Sequence, residues 1–114
     1  MDTPPLVERL YQLNVWLLQK TGKMPRDKRY LLGDRLMTKA LDLQDLLITA
    51  SLTKRGDEKT KLLATASLEL DKLRFLLRLT ADSQILDYKG WQYCSLQITE
   101  IGKMLGGWLK NNVN

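Results

Sequence analysis

No histidine occurs in the chain, and cysteine occurs once. The first absence removes the side chain most often used as general base and metal ligand. The second excludes an internal disulfide or a thiolate metal cluster, and Cys94, with no activating partner, reads as a small buried hydrophobe. Nowhere do about 18 apolar residues run together, as a membrane-crossing helix requires. The opening MDTPPLVERLYQ has no basic region ahead of an apolar run, so it carries no recognisable export signal. A cytoplasmic protein without membrane contact is the expectation. There is no phosphate-binding glycine loop, zinc-ligand spacing, nucleophile elbow or dinucleotide fingerprint. Asp42 and Asp45 lie on one charged helix side without a convergent partner and read as solvated. No catalytic residue, metal or cofactor is therefore expected, and the chain does not read as an enzyme.

What is present is a helical pattern and an excess of positive charge. At 114 residues the chain suits one domain, 1–114, with one core. Eighteen Lys and Arg against 13 Asp and Glu leave a formal charge of +5 and a sequence pI near 9.4. That balance favours polyanions or an acidic protein surface as partners.

Pro4-Pro5, GKMPRD at 22–27, KRGDEK at 54–59 and ADSQILDYKG at 81–90 punctuate the chain and leave four segments. In the first, Leu6, Leu10, Leu13 and Leu17 mark one helix face, with proline at its start and Gly22 at its end. The second, about 27–54, aligns Leu32, Leu36, Ala40, Leu43, Leu47 and Ala50. The third, about 58–82, aligns Leu62, Leu63, Ala66, Leu70, Leu73 and Leu77. The fourth, about 88–110, aligns Trp91, Cys94, Ile98, Ile101, Leu105 and Leu109. These periodicities predict an all-α four-helix bundle.

The middle helices carry a second apolar stripe. Tyr30, Met37, Leu41, Ile48 and Leu52 fall together on the second helix, and Leu68, Phe75 and Leu79 on the third. A lone small bundle needs one buried stripe per helix. The extra stripes mean either a broad core or a subunit interface, and the pattern favours a homo-oligomer. The last helix raises another question, because EIGKMLGGWLK holds three glycines, each costing about 1 kcal/mol in a helix interior relative to alanine. Ser95, Thr99, Gly102 and Gly106 follow one another at spacings of 4, 3 and 4, a stripe of small residues that lets two helix backbones approach closely. Gly107 has a plainer explanation as a capping or fraying residue.

Two basic clusters are candidates for binding. Between residues 20 and 39, Lys20, Lys23, Arg26, Lys28, Arg29, Arg35 and Lys39 face only Asp27 and Asp34. They either contact phosphates or are merely solvated. Arg74 and Arg78 form an i, i+4 pair outside the core stripe of the third helix, sharing that sector with Asp71 and Asp82. They read either as a surface salt-bridge row or as guanidinium groups for phosphate or acidic protein groups.

RYLLGDRL at 29–36, ALDLQDLLITA at 40–50, LDKLRFLLRL at 70–79 and EIGKMLGGWLK at 100–110 together resemble the accessory variability determinant family of diversity-generating retroelements. The resemblance runs in order over about residues 5–110. It implies a four-helix protomer of up-down topology, assembled into a barrel-like homopentamer with a basic surface. It further implies a non-catalytic accessory that binds the element's reverse transcriptase and its template-repeat RNA, with DNA as a second nucleic-acid partner, in support of mutagenic cDNA synthesis. Arg74 and Arg78, inside LDKLRFLLRL, are the best matched residues for those contacts. Thr38, Gln44 and the polar TADSQILD segment depart from that family's usual pattern. A related four-helix family, encoded in intervening sequences of large-subunit rRNA genes, is the competing resemblance and implies a structural oligomer without specific RNA binding.

Overall fold

The structure, a computed structural model, describes residues 4–112; the ends of the expected domain, 1–3 and 113–114, lie outside the described residues. Four helices and no strand are found among them. Helix α1 is Pro5–Gly22. Helix α2 opens with the turn Arg26–Lys28, passes through a π-helical turn, Arg29–Gly33, and runs on as Asp34–Ser51. Helices α3, Asp57–Asp82, and α4, Tyr88–Asn112, complete the chain. Each helix packs on its sequence neighbour, and α4 returns to α1, closing a bundle with extents of 46 × 23 × 20 Å. Short connections between packed neighbours make the run up-down. The α1–α2 and α3–α4 connections therefore share one end, opposite the α2–α3 connection.

The core is the expected set of stripes, with four shifts. Leu6, Leu10, Leu13 and Leu17 of α1 meet Leu36, Ala40, Leu43, Leu47 and Ala50 of α2. Leu63, Ala66, Leu70, Leu73 and Leu77 of α3 meet Cys94, Ile98, Ile101 and Leu105 of α4. Leu32, Leu62, Trp91 and Leu109, expected inside, are only half-buried and pack on the core's margin. Leu32 is displaced because the π turn advances fewer degrees per residue and presents Gly33 inward instead. Gly33 is where backbone meets another element closely: a Cβ there would lie 3.2 Å from Met24 Sδ and 3.5 Å from Thr21 Cβ.

Buried polar groups fix how the helices meet. On α1, Asn14 Nδ2 donates to the Ala40 carbonyl at 3.3 Å and to Gln44 Oε1 at 3.0 Å, locking α1 to α2. Between α2 and α3, Lys39 Nζ lies 2.9 Å from Glu69 Oε2, while Lys72 reaches the other oxygen at 3.1 Å. The hydrogen bond from Lys39, followed by that from Lys72, holds the Glu69 carboxyl below its ordinary range. At the start of α4, Asp87 Oδ1 accepts from the Gly90 N–H at 2.7 Å, an N-cap. A Cβ at Gly90 would sit 2.9 Å from that oxygen, so glycine is what lets the cap close. At the other end, Asn112 Nδ2 donates to the Gly56 carbonyl at 3.1 Å and to Thr60 Oγ1 at 2.7 Å, tying α4 to the start of α3.

The glycines of α4 turn out differently from the expectation of close backbone packing. A Cβ on Gly102 would meet Arg74 Nη2 at 3.6 Å and Leu70 Cδ2 at 3.7 Å, which is ordinary contact with side chains. Around Gly106 and Gly107 nothing among the described residues lies within 4 Å of such an atom. Ser95 donates back to the Gln92 carbonyl, and Thr99 is exposed. Within the protomer the stripe Ser95, Thr99, Gly102, Gly106 is thus the floor of an open furrow. The separation of α3 and α4 is set by the leucines and isoleucines between them. Gly106→Ala is accordingly expected to stabilise the protomer by about 1 kcal/mol, a rise of roughly 4 °C in melting temperature. A thermal melt that falls instead would mean that another chain's backbone occupies that space.

Cys94 is fully buried, and its Sγ–H donates to the Trp91 carbonyl at 3.6 Å. Burial pushes the thiol from 9.0 up to about 11. Below pH 9 the folded and unfolded thiols are both neutral and the site is pH-insensitive. As pH rises from 9 towards 11 the unfolded thiol ionises while the folded one does not, so stability falls. Denaturation titrations of wild type and Cys94→Ala are expected to differ in pH slope across that window and to run parallel below it.

Candidate nucleic-acid interface

The expected site residues fall into three regions. Arg74 projects beside the α3–α4 furrow, and Arg78 follows one turn later on α3, exposed. Arg74 Nη1 is 3.4 Å from Asp71 Oδ1, and its Nη2 comes up against Gly102; Arg78 Nε is 3.6 Å from Asp82 Oδ2. Both ion pairs are loose, lie within one helix and are open to solvent, so each is worth about 0–1 kcal/mol. Arg74 and Gly102 are therefore one surface: a residue without a side chain leaves room for the guanidinium group to lie against α4.

The basic segment 20–39 wraps the end of the bundle that carries the α1–α2 and α3–α4 connections. Arg26, Arg29 and Arg35 are exposed and, among the described residues, have no carboxylate within ion-pair distance. Lys23 is likewise exposed, while Lys28 makes a 3.8 Å contact with Asp27. Two members are occupied elsewhere. Lys20 Nζ sits 5.5 Å from the Trp16 ring centroid, and Trp16 in turn packs against Tyr93 at 4.9 Å. Lys39 is half-buried in its pair with Glu69, which places it in the α2–α3 seam rather than on the open surface.

The third region is apolar. Tyr30, Leu41, Ile48, Leu52, Leu68, Phe75 and Leu79 are exposed, as a second stripe requires, whereas Met37 is half-buried against the core. The α2 residues do not stand alone. Tyr11 and Leu18 of α1 lie three residues before and four after Asn14, and Leu41 and Ile48 of α2 stand in the same relation to Gln44. The Asn14–Gln44 hydrogen bond therefore runs beneath an exposed apolar seam of four residues from two helices. Sequence reading missed the α1 half, although Tyr11, Val15 and Leu18 recur at spacings of 4 and 3. Leu68, Phe75 and Leu79 form a separate ridge on the side of α3 turned away from the core.

Among the described residues no group of three potential ligand side chains is placed to hold a metal ion, and no helix is long and apolar enough to cross a membrane. The profile of the bAvd-like family matches residues 6–112, nearly the whole chain. The chain belongs to that family. It is the accessory variability determinant family that the four sequence blocks resemble, a non-catalytic accessory family of diversity-generating retroelements. None of the curated proteins matches the chain. In this bAvd-like protein the four family blocks lie in register with the elements just described. RYLLGDRL holds the π turn, ALDLQDLLITA the α1–α2 seam, LDKLRFLLRL the arginine pair, and EIGKMLGGWLK the furrow floor.

Proposed function

We propose that this chain is the accessory subunit of a diversity-generating retroelement that binds the reverse transcriptase and template RNA, as a homopentamer, and so supports mutagenic cDNA synthesis. The family match over residues 6–112 carries this reading. The surface supports it in two ways. Arg26, Arg29 and Arg35, exposed and without an ion pair among the described residues, retain their capacity for phosphate or acidic groups. The α1–α2 seam and the α3 ridge are two different apolar faces on one protomer, an arrangement that suits head-to-tail contact between copies. Such contacts close into rings when the rotation permits. The two faces require neither five copies nor any other number; five copies are proposed from the family resemblance alone.

The test combines sedimentation with binding. The protein is expected to sediment as a pentamer and to co-purify with the reverse transcriptase of its retroelement. Its affinity for template-repeat RNA is expected to fall linearly with log salt, as counterions are released from neutralised phosphates. A folded oligomer with no RNA affinity at low salt and no reverse-transcriptase binding would instead be the structural assembly implied by the competing resemblance to the rRNA intervening-sequence family.

A further inference from the structure

The π turn of α2 builds a pocket that the charge pattern alone does not explain. Arg26, Asp27, Arg29, Tyr30 and Asp34 line an open pocket of about 620 Å³. Tyr30 is 78% exposed there, the most exposed large hydrophobic side chain among the described residues. Gly33, buried against Thr21 and Met24, anchors the same turn inward and so holds Tyr30 outward. The lining does not suit an apolar subunit contact, since four of its five residues are charged and would have to be desolvated. It suits a simple anion poorly as well, because Asp27 and Asp34 stand beside the guanidinium groups.

A nucleotide meets all three features. Its phosphate pairs with guanidinium, its base has a π face for the tyrosine ring, and its base edge carries N–H donors for carboxylate oxygens. We propose that this pocket binds unpaired nucleotides of a single-stranded polynucleotide, with a base stacked on Tyr30 and the flanking phosphates on Arg26 and Arg29. The inference rests on the nucleic-acid reading above and deepens it: this end of the bundle recognises single strands, and Tyr30 is a stacking platform rather than an oligomer contact. In a duplex the π faces are already occupied by neighbouring bases, so the pocket discriminates against paired substrate.

Fluorescence anisotropy with labelled oligo-U RNA of about 12 nucleotides, the matching oligo-dT, and an RNA duplex of the same length tests this. Tyr30→Ala is expected to weaken binding to the single strands about tenfold and to leave duplex binding within about twofold, while Tyr30→Phe, which keeps the ring, stays near wild type. Arg26→Ala with Arg29→Ala is expected to flatten the salt dependence by about 0.7 per lost phosphate contact. Comparing oligo-U with oligo-dT separates RNA from DNA as the source of the strand. Circular dichroism and sedimentation of each variant establish that fold and assembly are intact. Unchanged single-strand affinity in Tyr30→Ala, with binding still lost in the arginine variant, overturns the stacking site and leaves the nucleic-acid reading standing. Dissociation of the Tyr30→Ala oligomer returns Tyr30 to the subunit interface and also overturns it. A wild-type protein that binds none of the three probes removes both.

Discussion

Leu73→Ala is expected to cost about 2–5 kcal/mol, whereas Phe75→Ala, two residues away, is expected to change the stability of an isolated protomer by less than about 0.5 kcal/mol. Leu73 is 0% exposed and sits where α3 meets the other helices. Its removal leaves a cavity whose walls are backbone-anchored leucines and cannot collapse freely. Domains of this size are stable by only about 5–15 kcal/mol, so the loss is a large share of the whole. Phe75, 66% exposed, points the other way on the same helix. Its truncation removes little from the protomer's own packing. In an assembly that covers the α3 ridge, the same truncation forfeits up to roughly 1.5–3 kcal/mol of apolar burial per contact. Denaturation of Leu73→Ala and sedimentation of Phe75→Ala thus read two different surfaces. A Phe75→Ala protein that keeps wild-type assembly at low concentration would place the ridge outside the subunit interface.

That contrast also shows why much of the fold is legible in the sequence. A helix repeats every 3.6 residues, so Leu63, Ala66, Leu70, Leu73 and Leu77 declare an inward face, and Leu68, Phe75 and Leu79 declare an outward one, without knowledge of any neighbour. The helix limits follow from Pro5, Gly56 and Asp87, whose chemistry is local. What periodicity does not report is which element lies opposite. Glu69 looks like any charged surface residue until α2 brings Lys39 to it from 30 positions away. Asn14 falls on the leucine face of α1 with no visible partner until Ala40 and Gln44 supply acceptors from α2. The π turn is a backbone event with no composition of its own, and it alone moved Leu32 outward and made Gly33, not Gly102 or Gly106, the glycine that closes against another element. The α4 stripe was legible as small residues, but smallness permits a close helix crossing without requiring one. Here it makes room for arginine.

Replacing both Arg74 and Arg78 by alanine is expected to leave the protomer folded and assembled while cutting affinity for reverse transcriptase, RNA or both. The fold should tolerate it because neither side chain fills the core. The two ion pairs, at 3.4 and 3.6 Å to exposed carboxylates, together hold at most about 1–2 kcal/mol. The loss in binding is larger. A charge-assisted contact made by a guanidinium to a phosphate or carboxylate is worth on the order of 1–3 kcal/mol, so the loss of two such contacts corresponds to at least about thirtyfold in affinity. The furrow sharpens the expectation. Arg74 lies over Gly102 with its Nη2 close to the helix surface, so a partner can reach the guanidinium edge without clashing with α4. Gly102→Leu should therefore weaken partner binding by filling the groove, even if the melting temperature is unchanged. Lysine at 74 and 78 should restore part of the salt-dependent RNA binding, because charge is retained, but less of any two-pronged recognition, because the fork is gone. Pull-down of the reverse transcriptase and RNA anisotropy on the same preparations separate the two partners. If the double alanine variant stays assembled and binds both at wild-type affinity, the arginines are solvent-facing members of a salt-bridge row. The binding surface would then have to be sought at the basic end formed by residues 20–35.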